Sequence, residues 1–395
     1  MVSLSSDQKS ALDSLMSWQK GKNISRNFIT VGGYAGTGKS TLVAHLRKEL
    51  KTLKPNLKVG FASYTGKAAR VLRSKLNEQN ILQEKDTVGT IHSLIYSPIV
   101  NDDEEIVGWQ RKEKLDKDLI IIDEASMVDQ VIWQHLLSYQ IPIIAVGDHG
   151  QLPPIEGKFN LMKEPDLMLN KIHRQAENNP IIGLSIQARE YGLIKFGEYS
   201  STVRKFDMSE YDAQEAQQEL LGNYKNDTLV LCGFNATRNR LNTYIRSSLG
   251  FESTSPTSSD RVICLRNNHK IGIANGMLGT INKINKRGED WYEAEIVMDD
   301  EEDVYKGLIS AKQFGAKTAF NFTEKRGEFM MGDLFDFGYA LTVHKAQGSQ
   351  AKKVVLLEER SPKMDDEQWR RWLYTAVTRA EQELYIFGRN NSLLE

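Results

Sequence analysis

The sequence has little cysteine and almost no net charge, and each shortage excludes a class of protein. Its 395 residues include two cysteines, Cys232 and Cys264, both in apolar β-like runs without metal-ligand spacing. A disulfide framework or a zinc site is therefore not expected, and a reducing cytoplasm is the natural setting. The formal net charge of −1 excludes a uniformly basic nucleic-acid coat, so any nucleic-acid contact must come from local basic patches.

Long apolar runs are also missing. No stretch approaches the roughly 20 apolar residues needed to span a bilayer, and the polar N-terminus lacks the apolar core of a secretory signal. We therefore expect no membrane partner and a cytoplasmic location, which is the host cytoplasm if the chain is phage-encoded. At about 150 residues per domain, the length predicts two or three domains.

Short apolar runs alternate with helical patterns in both halves of the chain. Because these runs are apolar throughout, they favour parallel strands that are covered on both faces. The sequence therefore predicts an α/β fold with two parallel sheets. The runs are Phe28–Val31, Val59–Ser63, Leu119–Ile122 and Ile143–Val146 in the first half, and Leu229–Cys232, Tyr339–Thr342, Val354–Leu357 and Leu384–Phe387 in the second.

Two segments interrupt this alternation. Residues 96–114 contain an acidic run followed by Trp109, and we interpret them as an inserted β-hairpin, with a solvated loop as the alternative. Residues 261–336 contain β-rich runs broken by glycines and charges, which predicts a small inserted β-barrel. The predicted domains are then 1–95 with 115–178, and 179–260 with 337–395.

The segment Gly33–Ser40 matches the phosphate-loop pattern GxxxxGK[ST] between an apolar strand and a helical pattern. Backbone amides and a helix N-terminus in this arrangement cradle phosphate oxygens. We expect Lys39 to neutralise the β- and γ-phosphates of ATP and Ser40 to bind Mg²⁺. Further nucleotide contacts are expected from Gly33, Gly36, Thr37, Gly38 and Thr41.

Asp123 and Glu124 end the buried strand pattern that starts at Leu119. We expect Asp123 to hold the Mg²⁺ shell and Glu124 to polarise the attacking water. An acidic pair at a strand end is only a moderately specific signal by itself. It becomes a strong signal in combination with the phosphate loop.

Three more residues are candidates for sensing or stabilising the γ-phosphate. Gln151 follows the strand pattern that ends at Val146, and Arg174 follows in the chain. Arg379 belongs to a helical pattern in the second half, so it could approach the nucleotide from another domain. An arginine finger of this kind stabilises charge on the transferred phosphoryl group. Each arginine alone is more often a surface or ion-pair residue, and the ordered set favours the catalytic interpretation.

The ordered series of motifs resembles superfamily-1 helicases of class B, in particular the RecD-like and phage Dda-like DNA helicases, over nearly the whole chain. The resemblance implies two tandem RecA-like domains, with a hairpin in the first and an SH3-like barrel in the second. It implies an ATP-dependent motor that moves 5′ to 3′ on single-stranded DNA and unwinds duplexes. Single-stranded and fork DNA would be its partners, with replication, recombination or repair proteins beside them, and a monomer would suffice.

The resemblance also assigns roles to individual residues. Gln8 matches the glutamine that recognises adenine. The segments 63–70, 87–93, 234–238 and 341–349 match motifs for DNA contact and coupling, and 275–279 matches a turn in the barrel. Implied DNA contacts are Tyr64, Thr65, Lys67, Thr90, His92, Asn235, Thr342 and His344, and Gly348 is an implied nucleotide contact.

The chain departs from the family pattern at two positions. Tyr64 replaces the usual proline and is either a core aromatic or a base-stacking residue. Gln350 replaces an acidic residue that many relatives place near the ribose, which weakens the expectation of strict ATP preference.

Trp109 is a candidate wedge at the fork, since stacking one base on an aromatic contributes roughly 1–3 kcal/mol and opening one step costs about 1.4 kcal/mol. Packing of the hairpin onto the core is the alternative. For the whole chain, the alternatives are a translocase that mainly displaces proteins, an RNA-directed motor, and a simple phosphate-loop kinase or nucleotide-binding module.

Overall fold

The computed structural model describes residues 4–21, 26–100, 106–154, 159–172, 179–266, 268, 273, 275–299, 304–316 and 331–389, apart from the side chains at 67, 98, 100 and 106–109. The chain divides into two compact units, Met1–Gly183 and Leu184–Glu395.

The described residues of the first unit build a six-stranded parallel sheet in the order β3-β2-β6-β7-β1-β8. Strands β6 and β7 lie in the middle, and their apolar side chains are fully buried. The strands are β1 (Phe28–Gly33), β2 (Val59–Ser63), β3 (Thr87–Thr90), β6 (Leu119–Asp123), β7 (Ile143–Gly147) and β8 (Leu167–Leu169).

Both faces of this sheet carry a hydrophobic cluster. Side chains alternate along a strand, so Ile121 belongs to one cluster while Ile120 and Ile122 belong to the other. This burial on two faces explains why the strands are apolar at every position. The helices of the unit are α1 (Ser6–Lys20), α2 (Lys39–Leu53), α3 (Gly66–Glu78), α4 (Ile91–Ile95) and α5 (Gln130–Leu137).

The described residues of the second unit form another six-stranded sheet, in the order β17-β11-β18-β19-β10-β9. Its pairs are parallel except for β9 with β10. The strands are β9 (Gly197–Ser200), β10 (Val203–Asp207), β11 (Thr228–Cys232), β17 (Ala340–Thr342), β18 (Ala351–Leu357) and β19 (Ala380–Gly388). The later helices are α6 (Pro180–Tyr191), which includes the boundary, α7 (Tyr211–Gly222), α8 (Asn235–Ser248) and α9 (Asp366–Val377).

The hairpin interpretation is confirmed, because β4 (Tyr96–Val100) and β5 (Ile106–Arg111) pair antiparallel, and the solvated-loop alternative is wrong.

In the second unit, five described strands pair antiparallel in the order β15-β14-β13-β12-β16 around a small hydrophobic cluster. The β-rich insertion is therefore present, while its closure into an SH3-like barrel stays a prediction. These strands are β12 (Arg261–Cys264), β13 (Leu278–Arg287), β14 (Trp291–Met298), β15 (Val304–Ser310) and β16 (Phe335–Phe337).

Strands β3, β8, β9 and β10 were not predicted from the sequence. Strand β3 lies at a sheet edge and contains two threonines and Gly89, so it has no apolar run. Strand β10 includes Arg204 and Lys205, and these charged residues interrupt the apolar run by which a strand is predicted. None of the helices in the described ranges has the length and apolar character required to cross a bilayer.

Candidate nucleotide and DNA sites

The phosphate loop depends on glycine at three positions. Gly36 and Gly38 have φ angles of 80° and 74°, in the left-handed region that L side chains rarely adopt. A Cβ on Gly33 would lie 2.6 Å from Thr37 Oγ1, which itself donates to the Tyr34 carbonyl at 2.8 Å. The backbone can therefore turn sharply between β1 and α2, and the loop amides lead into the helix N-terminus.

Lys39 lies inside this loop. Its Nζ donates to the carbonyl oxygens of Gly33 and Tyr34 at 2.7 and 3.1 Å, and it lies 3.8 Å from Asp148 Oδ2. A phosphate oxygen would offer this ammonium a charged acceptor, and charge-assisted hydrogen bonds are the stronger kind. Ser40 and Thr41 follow in the first turn of α2.

Gln8 reaches the same loop from helix α1 and is fully buried. Its Nε2 donates to the carbonyls of Thr37 and Gly38 at 3.1 and 3.2 Å, and its Oε1 accepts from Ser5 N at 2.9 Å. The amide therefore fastens α1 to the phosphate loop. Recognition of adenine by Gln8 stays a prediction.

Asp123 and Glu124 follow the buried part of β6. Burial raises the pKa of Asp123, while Lys39 and the Glu124 N–H oppose that rise. Glu124 has φ 54° and ψ 40°, a left-handed conformation that costs a non-glycine residue about 1–2 kcal/mol. Strain of this kind persists where the surroundings impose it and is concentrated at functional sites.

The turn after β7 is organised by Asp148, a buried residue that sequence reasoning passed over. Asp148 Oδ1 accepts from Gly150 N at 3.0 Å, and Oδ2 accepts from Gln151 Nε2 at 3.4 Å. The carboxylate thus lies between Lys39 and Gln151 and brings two predicted γ-phosphate contacts together. Its position directly after an apolar strand, like that of Asp123, was the available signal.

Two predicted DNA contacts of the first unit, Thr65 and Thr90, are helix N-caps. Thr65 Oγ1 accepts from Ala68 N at 3.2 Å and Thr90 Oγ1 accepts from Ser93 N at 3.1 Å. Strands β2 and β3 are parallel neighbours, with Ser63 opposite Thr90. Both threonines therefore lie at the carboxyl edge of one sheet.

Tyr64 and His92 lie at the same edge. Tyr64 packs against the hydrophobic cluster beside α4 and α5, which supports its interpretation as a core aromatic. Burial lowers the pKa of His92, opposed by Asp129, and the His92 ring lies 5.2 Å from that of Tyr96. The Lys67 and Trp109 side chains and all of Arg174 lie outside the described residues.

Arg379 is buried within the second unit. Its guanidinium donates to Thr375 O at 3.0 Å, to Ser349 O at 3.1 Å and to Thr378 Oγ1 at 3.2 Å. These bonds tie the end of α9 to the turn at Gly348, whose φ is 75°. The role of Arg379 as a finger, and that of Gly348 as a nucleotide contact, stay predictions.

Asn235 is exposed and is the first residue of α8. The backbone amides just before it are bound by Glu359, whose Oε2 accepts from Gly233 N at 2.9 Å and from Phe234 N at 3.2 Å. Glu359 Oε1 accepts from Thr237 Oγ1 at 2.6 Å. A DNA contact by Asn235 would therefore use its side chain, because a carboxylate of the protein already binds the neighbouring amides.

Thr342 ends β17, and His344 and Lys345 follow it in the chain. Burial lowers the pKa of His344. Burial and the nearby Arg238 lower the pKa of Lys345 to about 8, although Asp336 opposes the shift. Lys345 is a half-buried cation beside two predicted DNA contacts, and sequence reasoning did not single it out.

Two family models match the chain where these sites lie. Residues 20–157 match an AAA domain, and residues 337–387 match a UvrD-like helicase C-terminal domain. The first contains the phosphate loop, Asp123, Glu124 and Gln151, and the second contains Thr342, His344, Gly348 and Arg379.

The chain is similar to several helicases. It is 26% identical to the ATP-dependent RecD2 DNA helicase of Deinococcus radiodurans, over 98% of this chain and 49% of that protein. It is 24% identical to the ATP-dependent DNA helicase dda of Enterobacteria phage T4, over 97% of this chain and 98% of that protein. The chain therefore spans about half the length of RecD2 and nearly all of the phage enzyme.

Solved structures agree on the fold. The Pif1 helicase from Bacteroides, in complex with ADP-AlF3 and single-stranded DNA, superposes with a TM-score of 0.56 at 17% identity, covering 100% of this chain and 96% of that one. Pif1 from Candida albicans gives a TM-score of 0.50 at 17% identity, covering 99% and 96%. The fold therefore agrees with these structures, and the phosphate loop, the acidic strand end and the relatives in sequence make the chain similar to the RecD-like and phage Dda-like helicases.

Proposed function

We propose that this chain hydrolyses ATP at the phosphate loop and uses the energy to translocate along single-stranded DNA, 5′ to 3′, and to unwind duplexes in the cytoplasm. The observation that carries the proposal is the phosphate loop itself, in which Lys39 Nζ donates to the carbonyl oxygens of Gly33 and Tyr34 and lies 3.8 Å from Asp148 Oδ2.

The residues present suit an ATP·Mg²⁺ complex. Mg²⁺ prefers oxygen ligands and is usually held by one or two protein groups together with substrate phosphates. The Ser40 hydroxyl and the Asp123 carboxylate supply such oxygens at the ends of α2 and β6. Bound Mg²⁺ would neutralise developing charge on the phosphates. Glu124, held in its strained conformation, would orient the water that attacks the γ-phosphate.

The strand of DNA would follow the carboxyl ends of the parallel strands in the two six-stranded sheets. Thr65, Thr90 and His92 would contact it in the first unit, and Asn235, Thr342 and His344 in the second, through phosphates and sugars that carry no sequence information. Arg174 and Arg379 would stabilise the transferred phosphoryl group, and closure of the two domains on ATP would convert hydrolysis into movement. Trp109 on the hairpin would act as a wedge at the DNA fork.

We propose the domain bounds given by the sequence, with residues 261–336 as an SH3-like barrel, and a monomer as the working form. Fork DNA and proteins of replication, recombination or repair would be its partners. The relatives named above are described as ATP-dependent DNA helicases, and that description motivates the extension to this chain.

The first experiment measures steady-state ATPase activity with and without an unstructured DNA oligonucleotide. We expect strong stimulation of the wild type and no turnover by Lys39→Ala. The matched control is Lys51→Ala, which removes an exposed lysine from the last turn of the same helix and should leave turnover unchanged. Turnover that ignores DNA would contradict the motor and favour a simple nucleotide hydrolase.

The second experiment compares duplexes with a 5′ tail, a 3′ tail or an RNA tail. We expect unwinding from the 5′ DNA tail. Unwinding from the 3′ tail would overturn the polarity, and preference for RNA would overturn the substrate. A further substrate is a biotinylated oligonucleotide that carries streptavidin. Displacement of streptavidin without strand separation of the duplexes would indicate a translocase that clears proteins.

A further inference from the structure

The rings of Tyr34 and His149 are in contact beside the phosphate loop. Their centroids lie 4.0 Å apart with the planes tilted by 48°. Aromatic pairs usually lie 4.5–7 Å apart, so this contact is close. Neither ring has a role in the function proposed above.

The two residues belong to different loops of the same site. Tyr34 is in the phosphate loop, where its carbonyl accepts hydrogen bonds from Lys39 Nζ and Thr37 Oγ1. His149 lies in the turn after β7, between Asp148 and Gly150, and this turn contains Gln151. The ring contact therefore connects the loop that holds Lys39 with the turn that holds Gln151.

The phosphates of a bound nucleotide would change this arrangement. Lys39 would exchange the Tyr34 carbonyl for phosphate oxygens, so the backbone at Tyr34 would lose a donor. Asp148 would lose its neighbouring ammonium, now 3.8 Å away, to the phosphate. A contact between the rings keeps the two loops in register while those polar contacts change.

We propose that Tyr34 and His149 form an aromatic clasp that positions the phosphate loop and the Asp148–Gln151 turn against each other, so that ATP is bound in preference to ADP. The inference rests on the proposed function only in taking this loop as the nucleotide site. Both are positioning residues, because they act through Lys39, Asp148 and Gln151.

The test measures dissociation constants for fluorescent ADP and for a fluorescent non-hydrolysable ATP analogue, without DNA. An aromatic pair contributes about 0.5–1.5 kcal/mol, which corresponds to about two- to tenfold in affinity. We expect Tyr34→Ala and His149→Ala each to weaken binding of the ATP analogue by about that factor, while the affinity for ADP changes less than twofold. The double variant should bind no more weakly than the weaker single variant, since the same contact is lost.

Two further variants separate a clasp from a general defect. Tyr34→Phe and His149→Phe keep a ring and should restore binding of the analogue. His135→Ala removes a different ring contact of the first unit, with Tyr96 at 5.9 Å, together with the hydrogen bond between the same two side chains, and should leave the ratio of the two affinities unchanged.

Equal weakening of both nucleotides, additive losses in the double variant, or phenylalanine variants as poor as alanine would each overturn the clasp. A wild type that binds neither nucleotide would overturn the clasp and the nucleotide site together. A wild type that distinguishes the nucleotides as expected, but whose ATPase ignores DNA, would overturn the motor and leave the clasp standing.

Discussion

In each unit a parallel strand is followed by the N-terminus of a helix. The two strand–helix junctions differ in which groups lie against their backbone amides. Between β1 and α2, glycines at 36 and 38 turn the backbone, and Lys39 lies among carbonyl oxygens. Between β11 and α8, the carboxylate of Glu359 binds two backbone amides and the Thr237 hydroxyl. An amide-rich terminus attracts anions, so the first junction suits a phosphate and the second already holds a carboxylate of the protein.

This difference shows how one topology supports two roles. The first junction combines amides with a cation that can move to a ligand, which is the requirement of a nucleotide site. The second is closed by an internal ligand and presents the exposed side chains of Phe234 and Asn235. In this chain the glycines and Lys39 therefore distinguish the first junction, as the candidate nucleotide site, from the second.

The largest expected effect lies at the first junction. Glu124→Gln keeps the shape of the side chain but removes the base, so hydrolysis in a single turnover should fall by about 10²- to 10⁴-fold. Affinity for a non-hydrolysable ATP analogue should persist. The control is Glu113→Gln, an exposed residue of the same unit. If Glu124→Gln hydrolyses ATP at the wild-type rate, Glu124 is not the base.

The helix behind the first junction is held by a buried ion pair. Arg47 on α2 binds Asp86 through Nε at 2.8 Å and Nη2 at 3.0 Å, and both side chains are inaccessible to solvent. Asp86→Ala leaves a buried cation unpaired and should lower the free energy of unfolding by about 3–5 kcal/mol, measured in urea. Asp116→Ala, which removes the exposed partner of Lys58, should leave it nearly unchanged. Equal losses of unfolding free energy in Asp86→Ala and Asp116→Ala would show that burial of the Arg47–Asp86 pair does not determine its contribution to stability.

The second junction should depend on its carboxylate. Glu359→Ala leaves two amides and a hydroxyl without their acceptor, so the unfolding free energy should fall by about 1–2 kcal/mol. The control is Glu383→Ala, which removes the surface partner of Lys353 and should cost less. A Glu359→Ala protein as stable as the wild type would mean that solvent or another group replaces the cap, and the contrast between the junctions would disappear.

The smallest expected effect concerns Lys345. With a pKa near 8, this ammonium is charged at pH 7 and loses its proton as the pH rises through that value, although a bound phosphate would raise the midpoint. Between pH 7 and 9.5 the salt slope for binding single-stranded DNA should weaken by about 0.7, the contribution of one phosphate contact. Lys345→Arg should remove this dependence, because arginine stays charged. The exposed Lys352→Arg should retain it, and a wild-type slope that stays unchanged up to pH 9.5 would contradict this prediction.

The sequence predicted most of the sheets, because parallel strands buried on both faces are apolar throughout. It missed β3, β8, β9 and β10. Strand β3 consists of threonines, a valine and a glycine, and charged residues interrupt β10, so neither has an apolar run. The sequence also predicted the phosphate loop and Asp123 with Glu124, since the chemistry of each requires neighbouring residues in the chain. Asp148 was missed because its role depends on Lys39, more than a hundred residues earlier.

By itself the sequence determined the nucleotide-binding loop, the acidic strand end and the alternation of strands and helices, because backbone geometry and local periodicity encode them. Only the tertiary structure decided that Gln8 is bound to the phosphate loop, that Glu359 closes the second junction and that Tyr34 meets His149. These contacts join residues 29 to 126 positions apart. Such pairs leave no local pattern, since burial and hydrogen bonding act between neighbours in space, whatever their separation along the chain.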